Sequence, residues 1–187
     1  MVASLVTPTE LIVWLDIPAD TFPTDRATLL VNSASAAIRG HCGWNITEET
    51  VTGDVIDGTG KWDLWLPTKN LTAVASLVEN GVTLVSGTNY DWYRNGQLTR
   101  AGRWTSKAKA ITVTYTHGYP AGHVKLELAR SMCLMAAAAR VPNPAGLRSE
   151  TVGAVSWTSA ASSADATVIL TEAEQDALAP LALHGVA

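Results

Sequence analysis

The sequence is short of charge. Only 16% of its 187 residues are Asp, Glu, Lys or Arg, against about 25% in an ordinary globular domain. A chain with so little solvated surface tends to hide part of it against other chains. Basic residues are the scarcer sign, 13 against 17 acids for a net charge of −4, which argues against a nucleic-acid binder working through a basic face. Long apolar runs are missing too. The longest candidate, Ser131 to Ala139, is bracketed by Arg130 and Arg140 and falls short of the ~18 residues that cross a bilayer. The first charge is Glu10 and the first cation Arg26, so no basic n-region marks a secretory signal. Cysteine occurs twice, at Cys42 and Cys133, in no shared motif; buried free thiols in a reducing cytosol are the simplest account. What is present suffices for a core. Apolar residues make up 47%, which excludes wholesale disorder, and a globule of this length buries roughly 70% of its unfolded surface without metal or disulfide.

The local signals describe an α+β chain. Thr7-Pro8-Thr9-Glu10 is a capping box with proline at the first helical position, opening a short helix that runs to about Asp16 and ends at Pro18. A second helix starts at Pro23-Thr24-Asp25, places Ala27, Leu30, Val31, Ala34 and Ile38 on one stripe, and has Gly40 as its left-handed cap. From about Thr47 to His117 the period changes to two. Strands are expected over 50–57, 62–66, 73–79 and 82–85, with Asn80-Gly81 as a hairpin turn. Asn95-Gly96 repeats that turn between 90–93 and 97–100, and 109–116 alternates Ile111, Val113 and Tyr115 with threonines. This predicts one small antiparallel sheet inserted between helices. Gly118-Tyr119-Pro120 then launches the longest helix, to about Val141. Its second half carries no charge on any face and must be covered on all sides. Beyond Pro142-Asn143-Pro144, Ser149 to Thr158 reads as a strand, Ser159 to Ala166 as a flexible spacer, and Thr171-Glu172-Ala173-Glu174 as the capping box of a short helix interrupted by Pro180. The expected division is 1–44 N-terminal helices, 45–117 β-domain, 118–145 long helix and 146–187 C-terminal extension.

Chemistry is sparse. Gly58-Thr59-Gly60-Lys61 lacks the spacing and the hydroxyl residue of a phosphate loop and precedes a strand, so it reads as a tight turn. His41, His117, His123 and His184 form no ligand spacing, and adjacent His41 and Cys42 point apart, so no metal or cofactor is expected. Asp54, Asp57 and Asp63 could pair as acid and base, but turn and strand-edge roles explain them more simply. Asn45-Ile46-Thr47 and Asn70-Leu71-Thr72 match glycosylation acceptors that mean nothing without a secretory signal. No catalytic residue is named. Four of the seven tryptophans, Trp62, Trp65, Trp92 and Trp104, fall in the inserted sheet. They fill a phenylalanine-poor core, cover a subunit contact, or form the stacking face of a carbohydrate-binding module.

A resemblance enters through Thr-Asp-Arg-Ala and Ala-Ser-Ala-Ala-Ile-Arg-Gly-His-Cys-Gly within 24–43, Asp-Gly-Thr-Gly with Leu-Pro within 57–67, and Thr-Val-Thr-Tyr-Thr-His-Gly-Tyr-Pro at 112–120 before an alanine-rich helix. Arg-Ser-Glu-Thr-Val-Gly at 148–153 and Leu-Thr-Glu-Ala-Glu at 170–174 extend it. Over nearly its whole length the chain resembles the head-to-tail connector (adaptor) proteins of long-tailed bacteriophages. The resemblance implies a helical connector core with an inserted β-domain, a twelve-subunit ring beneath the portal protein, and contact with a stopper or tail-completion protein. It further implies a virion neck location after synthesis in the host cytoplasm, no catalysis and no membrane. Genomic DNA would pass through the channel without sequence-specific binding, past a repulsive, net-negative wall. Within that frame, Met132, Met135, Ala137 and Ala138 of the uncharged half-helix are the expected subunit interface. The C-terminal segment either folds back on its own core or reaches the portal or a neighbour with Leu178, Leu181 and Arg148.

Overall fold

The computed structural model describes residues 3–18, 22–141, 149–152, 155–158 and 170–183. Pro142-Asn143-Pro144, Arg148, the 159–166 spacer and His184 lie outside the described residues. The architecture is α+β, and the chain divides into two compact units, residues 1–41 with 128–178 and residues 42–127 with 179–187.

The first unit is helical. Helix α1 (Pro8–Trp14) carries the full capping box, with the Thr7 hydroxyl accepting from the Glu10 N–H and the Glu10 carboxylate accepting from the Thr7 N–H. Asp16 follows in the left-handed region at φ 51°, so the helix stops before Pro18. Helix α2 (Thr24–Cys42) buries Ala27, Val31, Ala34 and Ile38 completely, and Leu30 is half-buried. It runs past the expected cap: Gly40 is helical, and the positive φ belongs to Gly43, at 76°. Buried Cys42 extends the apolar stripe one further turn, which is why the helix continues to it. Helix α3 (Val124–Ala138) corrects a second expectation. It has 15 residues and α2 has 19, so α2 is the longer. Gly118 and Gly122 both take positive φ, 99° and 80°, and no helix can run through them. Instead the His123 Nδ1 accepts from the Lys125 N–H and caps the helix. Within this unit the Ser35 hydroxyl accepts from the Leu5 N–H and lies 3.4 Å from the Cys133 thiol. Arg130 reaches the Leu5 carbonyl and the Glu10 carboxylate. The stretch expected as a single strand is a two-stranded antiparallel hairpin, β8 (Ser149–Val152) on β9 (Val155–Thr158). Helix α4 (Glu172–Leu178) has its capping box at Thr171 and Glu174.

The second unit holds two sheets where one was expected. Strands β1 (Glu49–Ile56), β3 (Leu71–Glu79), β4 (Val82–Leu84) and β7 (Ile111–His117) form a four-stranded sheet in the order β1-β7-β3-β4. Strands β2 (Asp63–Trp65), β5 (Asp91–Trp92) and β6 (Gln97–Thr99) form a second, in the order β2-β6-β5. Asn80 and Gly81 both have positive φ, 51° and 81°, as the tight two-residue turn requires. The Asn95-Gly96 turn is different: the Gly96 N–H reaches the Tyr93 carbonyl, the Tyr93 N–H reaches Gln97, and only Gly96 has positive φ. That is a three-residue loop with a glycine bulge. Ile111, Val113, Tyr115 and His117 are the buried face of β7. With Leu64, Leu66, Leu71, Leu77, Tyr90, Leu98 and Trp104 those first three make one core lined by both sheets. A sandwich core of this kind is what separates the strands into two layers.

Candidate functional site

The expected interface helix is covered on one side only. In α3, Cys133, Ala136 and Ala137 are buried, Met132 and Ala138 are half-buried, and Met135 is 46% exposed. Ala137 therefore has no surface left for a neighbour. Met135 has, and the same unit exposes further apolar residues on α1. Val13 and Trp14 at the end of α1 are 73% and 55% exposed. Beside them a cavity of about 370 Å³ is lined by Thr7, Thr9, Glu10, Val13, Trp14 and Leu134. The signal was available: Leu11-Ile12-Val13-Trp14 is a four-residue apolar run, and at 100° per residue a helix cannot turn all four inward. The Glu10 carboxyl at this cavity is held below the usual carboxylate range by the Thr7 backbone N–H, its hydroxyl and the Arg130 guanidinium.

In the C-terminal segment Leu178 and Leu181 are buried within the single chain. The one-turn helix Ala179–Leu181 is bound from several sides. The Trp44 Nε1–H donates to the Leu181 carbonyl at 2.7 Å, the Lys69 ammonium to the Pro180 and Ala182 carbonyls, and the Leu183 N–H to the Cys42 carbonyl.

In the β unit the residues weighed for chemistry are dispersed. Asp54 accepts from the Tyr115 hydroxyl, Asp57 from the Lys109 N–H and Asp63 from the Trp65 indole N–H; the three do not converge. The Gly58 and Gly60 amides donate to the carbonyls of Lys107 and Thr105, leaving no cradle for phosphate. Trp104 is core and lies under the Arg100 guanidinium, Trp92 is half-buried, and Trp62 and Trp65 face solvent. His117 is buried between the rings of Trp44 and Tyr115, with its Nε2 3.4 Å from Glu49. Burial pushes its imidazole below the ordinary value, and Glu49 offsets this in part. Its Nδ1 has no hydrogen-bond partner among the described residues. Both thiols are free and buried, and burial raises them, Cys42 to about 11. Among the described residues no group of three or more His, Cys, Asp or Glu could hold a metal ion, and no helix is long and apolar enough to cross a membrane.

With this geometry in hand, comparison with known proteins assigns the chain. Residues 4–136 match the family model of the head completion protein. Among solved structures, a chain in the neck of a native gene transfer agent particle, determined with C12 symmetry, superposes at TM-score 0.50 with 16% identity, covering 83% of this chain and 88% of that one. A chain in the neck of the empty particle with C6 symmetry gives 0.48 and 17%, covering 83% and 86%. One in the native virion gives 0.47 and 15%, covering 83% and 87%. No curated protein matches. A match over well beyond half of the sequence settles membership: the chain belongs to the head completion protein family.

Proposed function

We propose that the protein is the adaptor that forms a ring under the portal, continues the DNA channel and joins the filled capsid to the stopper or tail-completion protein. The family match over residues 4–136 carries this reading. The fold shared with a neck chain determined with C12 symmetry supports a ring, which we take to have twelve copies. Low charge and exposed Val13, Trp14 and Met135 on the helical unit suit a subunit that covers apolar surface by assembling. The adaptor works without catalysis, and DNA passes it without sequence-specific contact.

Electron microscopy of the purified chain mixed with its portal tests the proposal. Portals carrying an added ring on the face away from the capsid are expected. Bare portals beside free monomers would overturn it, as would normal tailed particles from a phage lacking the gene.

A further inference from the structure

The cations of this acidic chain are segregated. From Trp92 to Leu126 the sequence carries Arg94, Arg100, Arg103, Lys107, Lys109 and Lys125 and no acid, whereas from Ser149 onward it carries Glu150, Asp165, Glu172, Glu174 and Asp176 and no Lys or Arg. Folding concentrates the first set. The Gly58 N–H donates to the Lys107 carbonyl at 3.0 Å, the Gly60 N–H to Thr105 at 3.0 Å, and the Trp104 N–H to the Lys61 carbonyl at 2.8 Å. The glycines permit this approach, since a Cβ on Gly58 would lie 2.0 Å from the Thr105 carbonyl oxygen. The resulting ribbon gathers Lys61, Arg103, Lys107 and Lys109, all exposed. Two carboxylates lie beside it, Asp57 accepting from the Lys109 N–H and Asp63 from the Trp65 indole N–H, so four cations face two acids and the ribbon stays net positive.

Of the second set, Glu172, Glu174 and Asp176 lie on α4. Leu178 is buried, and Glu172 and Asp176 are exposed. Among the described residues the ion pairs are Arg100–Glu79, Arg130–Glu10 and His117–Glu49. None of them uses the four ribbon cations, Glu172 or Asp176. The chain thus carries two surfaces of opposite charge whose side chains enter no ion pair among the described residues.

We infer that the basic ribbon docks on α4 of a second copy of this chain. The two surfaces are different, so the contact is heterologous and repeats head to tail, and in the ring proposed above that repeat closes. Charge complementarity of this kind sets register and speeds encounter. The inference rests on the ring reading above and names the contact that builds it.

The test uses full-length protein with two double reversals, Arg103→Glu with Lys107→Glu, and Glu172→Lys with Asp176→Lys. Assembly is followed by sedimentation velocity and by electron microscopy with portal. Each double reversal alone is expected to weaken association about tenfold or more at low salt, with an unchanged far-ultraviolet circular dichroism spectrum. The two variants mixed in equal amounts are expected to assemble again, because each then presents what the other lacks. A misfolded variant cannot be rescued in this way. Rings formed equally by wild type and both variants overturn the contact and leave the ring reading standing. Wild type that stays monomeric even with portal overturns both. Assembly that survives ribbon reversal while binding of a short DNA duplex is lost would assign the ribbon to DNA instead.

Discussion

Ala137 and Met135 lie two residues apart on α3 and should answer one substitution in opposite ways. Ala137→Glu places a carboxylate where no surface is exposed, at about 3–5 kcal/mol, so the protein should melt far earlier or fail to fold. Met135→Glu, on the exposed side, should leave chemical denaturation of the isolated chain within about 0.5 kcal/mol of wild type and reduce ring formation on portals. Gly118 is a backbone requirement of another kind: φ is 99°, and a Cβ would sit 2.3 Å from the Thr47 carbonyl oxygen. Gly118→Ala should cost about 2–3 kcal/mol, read as a lowered denaturation midpoint. His117 gives the acid response. Its pKa is depressed in the folded state, so the native chain binds fewer protons than the unfolded one. The stability linked to this group is complete above the ordinary imidazole value of about 6.5 and declines as the pH falls below it. Denaturant titrations at pH 7.5 and 5.5 should show that loss in wild type and a smaller one in His117→Gln. Equal losses would exclude His117 as the source. None of these burials could be read from residue type, since alanine, histidine and glycine are each common inside and outside proteins.

At the level of elements, legibility followed the range of the signal. The capping boxes at Thr7 and Thr171 and the Asn80-Gly81 turn are complete within four residues and were readable as they stand. The start of α3 was not, because Gly118-Tyr119-Pro120 resembles a helix entry locally, while the positive φ values of Gly118 and Gly122 arise where the chain passes Thr47 and turns. The division into two sheets depends on pairing β1 with β7, across more than fifty residues of chain, which no local pattern encodes. The same holds for the C-terminal helix, whose Leu178 and Leu181 suit either a partner or the chain's own core. Leu178 and Leu181 are both buried in the single chain. Leu178→Ala should therefore destabilise the isolated protein by about 2–4 kcal/mol, and removal of residues 167–187 should lower its melting temperature. A truncated chain that melts like wild type would contradict this.

For the whole molecule, the candidate site was legible in character but not in place. Scarce charge and an uncovered half-helix pointed to assembly, and Met135 kept its exposure. Val13 and Trp14 went unremarked, and the ribbon emerges only once residues 58–61 and 104–107 are paired. That pairing depends on strand order, which has a further consequence in time. In the order β1-β7-β3-β4 the last strand to be synthesised is an interior one. Until His117 has left the ribosome, β1 has no neighbour in its sheet, and β3 is paired only with β4 through their tight turn. That local hairpin can form within microseconds, whereas closing β7 between β1 and β3 must meet the entropy of long loops and belongs to the slower folding of non-local sheets. The nascent chain therefore carries a two-stranded template with an open edge for as long as roughly the next thirty residues take to appear.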